Sequence, residues 1–134
     1  QAALLSVKLS HMDELTQERL GTAQYYQAHI KNPLILKPTI RPGCDHVYHQ
    51  YVIRCIYRDE LQEYLLDNGI QTQIHYPVPP HLAECYEELG YKKGSFPITE
   101  QYTNEVLSLP LYTGMLKEEQ DYVIEILNSF RSRR

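Results

Sequence analysis

No run of eighteen apolar residues occurs in this 134-residue chain, so no segment reads as a helix that crosses a bilayer. Clustered cations are also missing. Thirteen basic against 17 acidic side chains leave a formal net charge of -4, which argues against a nucleic-acid surface. The one basic group, residues 131–134, more simply complements the carboxyl end of a last helix. Cys44, Cys55 and Cys85 are odd in number and lack a Cys-x-x-Cys spacing, which disfavours a disulfide framework or zinc ribbon and makes a reducing cytoplasm the expected compartment. The six glycines stand singly, so neither a Walker sequence nor a dinucleotide fingerprint can be drawn. There is no Gly-x-Ser-x-Gly elbow. Cys44, beside Gly43 and close to His46, is the nearest approach to an activated nucleophile, and a packed or exposed thiol is the simpler reading. No internal repeat or low-complexity tract is present.

What is present suits one domain with a real core: 43% hydrophobic and 22% charged residues at a length too short for two comfortable domains. The chain opens at Gln1 without a methionine or signal-peptide pattern, so a piece of a longer protein is expected. Residues 1–9 are helix material, and Ser10 to Asp13 reads as a capping box for a second helix. That helix sets Met12, Leu15, Arg19, Ala23, Tyr26 and Ile30 on one buried stripe and ends at Asn32-Pro33. Residues 34–45 form an extended connector and 46–56 a strand. A helix over 58–68 stops at Asn68-Gly69, and a second strand runs over 70–76. Short helices over 81–89 and 97–106, a third strand at 107–109 stopped by Pro110, and a final helix over 116–131 complete the chain. Val123, Ile126, Leu127 and Phe130 mark the apolar face of that helix. The expected class is α+β, a small, mainly antiparallel sheet of about three strands covered by helices.

Two segments are rich in histidine and tyrosine. One is the strand bearing His46, Tyr48, His49 and Tyr51. The other ends in the loop His75-Tyr76-Pro77-Val78-Pro79-Pro80-His81, where a strand delivers two imidazoles and a phenol onto a stiff turn. A zinc set drawn from His46, His49, His75, His81 and Cys44 is disfavoured, because residues three apart on a strand point to opposite faces. From composition alone two readings stay equally open. Either these rings fill half-buried strand positions, or they offer flat surfaces and hydrogen bonds to a polyol or phosphate ligand.

At these residues the sequence resembles the DegT/DnrJ/EryC1/StrS sugar aminotransferase family. His46 to Arg54, Arg58-Asp59-Glu60-Leu61, Gly69 to Thr72 and Ile74 to His81 carry the likeness. Phe96 to Glu100, Val106 to Tyr112 and Glu119-Gln120 continue it in order, over essentially the whole chain. The resemblance implies an aspartate-aminotransferase type of fold, pyridoxal 5'-phosphate, and transfer of an amino group from glutamate to a nucleotide-linked keto-sugar by a homodimer. It makes residues 1–134 the C-terminal, smaller domain, with 1–31 as connecting helices and 45–134 as sheet and helices. His75 and Tyr76 are then the expected substrate contacts, followed by His81 and by His46, Tyr48, His49 and Tyr51. The family's Schiff-base lysine lies in a Ser- and Gly-rich segment, and none of the six lysines here has that setting. The acid that pairs with the pyridine nitrogen and the phosphate-binding residues are missing too. The chain alone is therefore expected to be inactive. A non-catalytic sugar-binding or regulatory module of the same fold is the alternative.

Overall fold

In the computed structural model, which describes residues 1–133, helix α1 (Ala2–Leu9) is followed after Ser10 and His11 by α2 (Met12–His29). The expected capping box does not form. Ser10 itself has helical torsions (φ -66°, ψ -17°), so its hydroxyl reaches back and donates to the Val7 carbonyl at 2.7 Å. The stripe on α2 is buried only in its second half. Thr22, Ala23, Tyr26 and Ile30 enter the core, whereas Met12 stays exposed.

Strand β1 (Tyr51–Arg54) pairs antiparallel with β2 (Val106–Leu109), setting Ile53 opposite Leu107 and Tyr51 opposite Leu109. Single bridges flank the pair, Leu36 with Arg54 and Gln73 with Ser108. The α+β class stands, with one correction: the strand expected over 70–76 contributes one bridge. Gln73 exchanges hydrogen bonds with Ser108 (3.3 and 2.8 Å). The next hydrogen-bonded pair in that register would set Gln71 against Pro110, which has no N–H, and the ladder stops.

The first strand is also shorter than its sequence pattern. Tyr48 takes a left-handed conformation (φ +45°) and donates its N–H to His46 Nδ1 at 2.8 Å. This turns the chain just ahead of β1. His46 and His49 thus lie in a loop, and the opposite-faces argument does not apply to them.

Helix α3 (Arg58–Asp67) buries Leu61 and Leu65. It ends as expected at Asn68-Gly69: Gly69, at φ +74°, donates to the Leu66 carbonyl and Ile70 to that of Leu65. Residues 80–89 do not form an α-helix. Two short 3-10 helices, Pro80–Leu82 and Glu84–Leu89, are separated by the extended Ala83. Neither contains a buried residue, so no packing favours a longer helix there.

Helix α4 (Pro97–Glu105) runs directly into β2. Helix α5 (Lys117–Ser129) buries Val123, Ile124 and Leu127 in the same core cluster that holds Tyr26, Tyr51, Ile53 and Leu107. Among the described residues no helix is long and apolar enough to cross a membrane.

Candidate functional site

The stopped ladder makes the site. Where the 69–73 segment and the chain after Leu109 splay apart, a cleft of about 660 Å³ opens, with His75 at one end and Tyr112, Glu119 and Tyr122 along its wall. His75 Nδ1 is hydrogen-bonded to Ser108 Oγ at 2.9 Å. The adjoining Tyr76 ring stands edge-on to it at 5.5 Å and is 71% exposed. On the far side of His75 lies a smaller cleft of about 350 Å³, lined by Tyr76, Val78, Ile98 and Tyr102. Of the two residues singled out for substrate contact, His75 thus borders both clefts, its ring pinned by the sheet, while the exposed Tyr76 borders the smaller one.

The other expected contacts divide. His49 lines the larger cleft together with Gln50. His46 stacks on Tyr48 at 4.2 Å, and Tyr48 on Tyr51 at 5.8 Å. Tyr48 and Tyr51 are both buried, so these rings back the site without opening onto it. Tyr51 in turn meets Tyr26 edge-on at 5.2 Å, and the Tyr26 hydroxyl donates to the Pro110 carbonyl at 2.9 Å. His81 points inward to Glu100, away from either cleft.

Several lining residues escape a reading of the sequence. Glu119 accepts hydrogen bonds from the Leu116 N–H (2.8 Å) and the Tyr112 hydroxyl (2.9 Å), which fixes the first turn of α5 beside the cleft. The hydrogen bond to that carboxylate is the main reason the Tyr112 phenol is held above its usual range, with burial adding to it. Ser108 is a polar residue on a buried strand, and that contrast is its only signal. Among the described residues Glu119 is the single charged group lining the larger cleft, and no lysine or arginine lines either cleft. The arrangement therefore suits a neutral, hydroxyl-rich group better than an anion. Among the described residues no three His, Cys, Asp or Glu side chains come together as a metal site.

Comparison with known proteins adds to this geometry. The profile of the DegT/DnrJ/EryC1/StrS aminotransferase family matches residues 1–128. The chain is 46% identical over 130 residues to the dTDP-3-amino-3,6-dideoxy-alpha-D-galactopyranose transaminase of Aneurinibacillus thermoaerophilus, with 97% of this chain and 35% of that protein covered. It is 45% identical over 130 residues to the erythromycin biosynthesis sensory transduction protein EryC1 of Saccharopolyspora erythraea, covering 96% of this chain and 36% of that one. The crystal structure of S. venezuelae DesV in complex with a ketimine intermediate superposes with a TM-score of 0.90 at 35% identity, over 96% of this chain and 35% of that chain. The chain thus spans about 35% of the length of these relatives.

Proposed function

The chain belongs to the DegT/DnrJ/EryC1/StrS aminotransferase family, and from that premise we propose that it forms the smaller, C-terminal domain of a nucleotide-sugar aminotransferase. Residues 1–31 connect the domain and 45–134 carry its sheet and covering helices. The whole enzyme moves an amino group from glutamate to a nucleotide-linked keto-sugar, uses pyridoxal 5'-phosphate, and works as a cytoplasmic homodimer. Its product serves deoxyaminosugar or polysaccharide synthesis. The transaminase activity named for the A. thermoaerophilus relative supports this reading.

The residues of this chain do not by themselves fit the cofactor. Its chemistry needs a lysine amine and a cradle for a phosphate. Lys37 spends its ammonium on the carbonyls of Gln27 and Ile30, and Lys117 lies on the Tyr25 ring and Asp121. With no cation among the described residues lining either cleft, the amine and the phosphate cradle are assigned to other residues of the enzyme. The chain's own contribution is recognition of the sugar. One observation carries this: His75, pinned to Ser108, borders both clefts, and the exposed Tyr76 stands beside it on the smaller one.

Supplied with pyridoxal phosphate, glutamate and a dTDP-linked keto-hexose, the polypeptide alone should form no amino-sugar; turnover would overturn the division of roles. In the complete enzyme, His75→Ala and Tyr76→Ala should each lower kcat/KM for the sugar nucleotide by about tenfold or more. Parental kinetics in both variants would remove them from the site. A second reading, a regulatory or sugar-binding module without catalysis, draws support from the sensory transduction name of the S. erythraea relative. Specific binding of a nucleotide sugar by this chain alone would favour it.

A further inference from the structure

His81 makes a contact that the sugar-site reading does not use. Only 8% of its side chain is exposed, and Nε2 lies 2.9 Å from Glu100 Oε1 on α4, a carboxylate that is itself 15% exposed. The same carboxylate accepts the Gly94 N–H on both oxygens (2.8 and 2.9 Å) and the Phe96 N–H at 3.3 Å. The His81 ring packs edge-on against Phe96 at 4.8 Å, and Phe96 against Tyr91 at 5.1 Å. One carboxylate therefore gathers the turn at residue 81, the turn at 94–96 and the first turns of α4.

That gathering matters because little else holds the segment. Pro79 is the one buried residue between 76 and 96, and the sheet ladder has already ended at Gln73. Outside its own local turns, the segment is hydrogen-bonded to the fold through Glu100. Partial burial pushes the Glu100 carboxyl up, but the hydrogen bonds from His81, Gly94 and Phe96 outweigh it and hold the group below its usual range. Between His81 and Tyr76 lie Pro77, Val78, Pro79 and Pro80, and Pro79 is in the extended polyproline conformation (φ -65°, ψ 141°). Three fixed φ angles in four residues make a stiff strut, so a shift at His81 is passed on to Tyr76.

We infer that the half-buried His81–Glu100 pair is a positioning brace that sets the place of Tyr76, and through it the mouth of the proposed sugar site. The brace rests on the sugar-site reading only for its consequence in catalysis. Its mechanical part stands on the contacts alone.

The test uses Glu100→Gln, which keeps the shape and one acceptor oxygen, together with His81→Gln and His81→Ala, all in the complete protein. Amide hydrogen exchange at Leu82 and Ala83, bonded to the Pro79 and Pro80 carbonyls, and at Gly94 and Phe96 should quicken by about tenfold or more in Glu100→Gln and His81→Ala, while Leu127 in α5 stays at its parental rate. His81→Gln retains a donor for Glu100 and should fall between parent and His81→Ala. Unchanged exchange at Leu82 and Ala83, or an equal rise at Leu127, overturns the brace. In the aminotransferase assay the same variants should raise KM for the sugar nucleotide about tenfold with kcat within about threefold of the parent. A loosened loop with parental KM overturns the positioning role. A parent without transaminase activity sinks the proposed function instead, and the exchange measurements still decide the brace.

Discussion

His75 Nδ1 lies 2.9 Å from Ser108 Oγ, so the ring at the end of one strand segment is oriented by the strand beside it. Ser108 is buried, and no other side chain is hydrogen-bonded to the His75 ring among the described residues. Ser108→Ala should free the ring at a stability cost of about 1 kcal/mol. Under the proposed function it should also raise KM for the sugar nucleotide in the complete protein by roughly three- to tenfold with little change in kcat. NMR of the His75 ring protons checks the first step directly. A ring signal as sharp and as shifted as in the parent would show that the serine does not hold it.

Asn32 and Asn128 cap each other's helices. Asn32 Nδ2 donates to the carbonyls of Leu127 and Phe130 at the end of α5 (2.8 and 2.9 Å). Asn128 Nδ2 donates to the His29 carbonyl at the end of α2, and its Oδ1 accepts the Lys31 and Asn32 N–H groups. Asn32 is buried, and Asn32→Ala removes both of its donated bonds and the one its Oδ1 accepts from the Leu34 N–H. About 2–3 kcal/mol of stability should be lost, even though the Leu127 carbonyl keeps the Phe130 N–H and the Phe130 carbonyl keeps Arg131. Asn128 is partly exposed, so Asn128→Ala should cost less. Urea midpoints of the two variants, compared at equal m-value, decide the order.

The helices are legible because their signals are local. In α3 the spacing of Leu61 and Leu65 and the Asn68-Gly69 stop lie within a dozen residues. In α5 the acidic first turn and the apolar face do the same, although Ile124 rather than Ile126 is fully buried. Tyr48 and Tyr51 stand out in the 46–56 segment, yet whether such a ring faces core or cleft depends on packing against Tyr26, far away in sequence. The missing third strand depends on Pro110 falling opposite Gln71, a matter of register between distant segments. The role of His81 is hidden for the same reason: its partner lies 19 residues on, on a helix whose docking no periodicity reveals. What the sequence does mark is the stiff His75–Tyr76 loop itself, since prolines write rigidity into the chain directly.

Acid stability should turn in part on Glu105. Burial raises its pKa, but hydrogen bonds from Gln101 and Arg54 and the Arg54 charge outweigh this and hold the carboxyl below its usual range. Arg54 Nε and Nη2 reach Glu105 Oε2 at 3.0 and 2.6 Å, and the guanidinium lies 3.7 Å from the centroid of Tyr102. A depressed folded-state value means the contribution is present above the unfolded carboxyl pKa near 4.3 and is lost as pH falls through the folded value. Glu105→Gln should therefore lower stability at neutral pH by about 1–3 kcal/mol and flatten the acid limb of the stability profile. An acid limb as steep as the parent's would shift that dependence to other carboxylates.

At alkaline pH the buried phenols of Tyr26 and Tyr51 take over. Both are pushed well above the ordinary tyrosine value, first by burial. Tyr112, Tyr51 and Glu119 add to the effect at Tyr26, and Tyr48 adds to it at Tyr51. A raised folded-state value means the stabilising term is full below the unfolded tyrosine pKa near 10 and is lost as pH rises from there toward the folded value, at up to about 1.4 kcal/mol per pH unit for each ring. The two hydroxyls differ at neutral pH. Tyr26 donates to the Pro110 carbonyl beside the large cleft, so Tyr26→Phe should cost about 1 kcal/mol there while softening the alkaline slope. Tyr51 has a buried hydroxyl with no protein partner among the described residues, so Tyr51→Phe should soften the slope at no cost or with a small gain at neutral pH. Thermal melts of the two variants and the parent from pH 7 to pH 11 separate the cases. If Tyr51→Phe loses as much at pH 7 as Tyr26→Phe, the Tyr51 hydroxyl has a hydrogen-bond partner after all. If neither variant softens the slope, the alkaline transition belongs to groups outside the core.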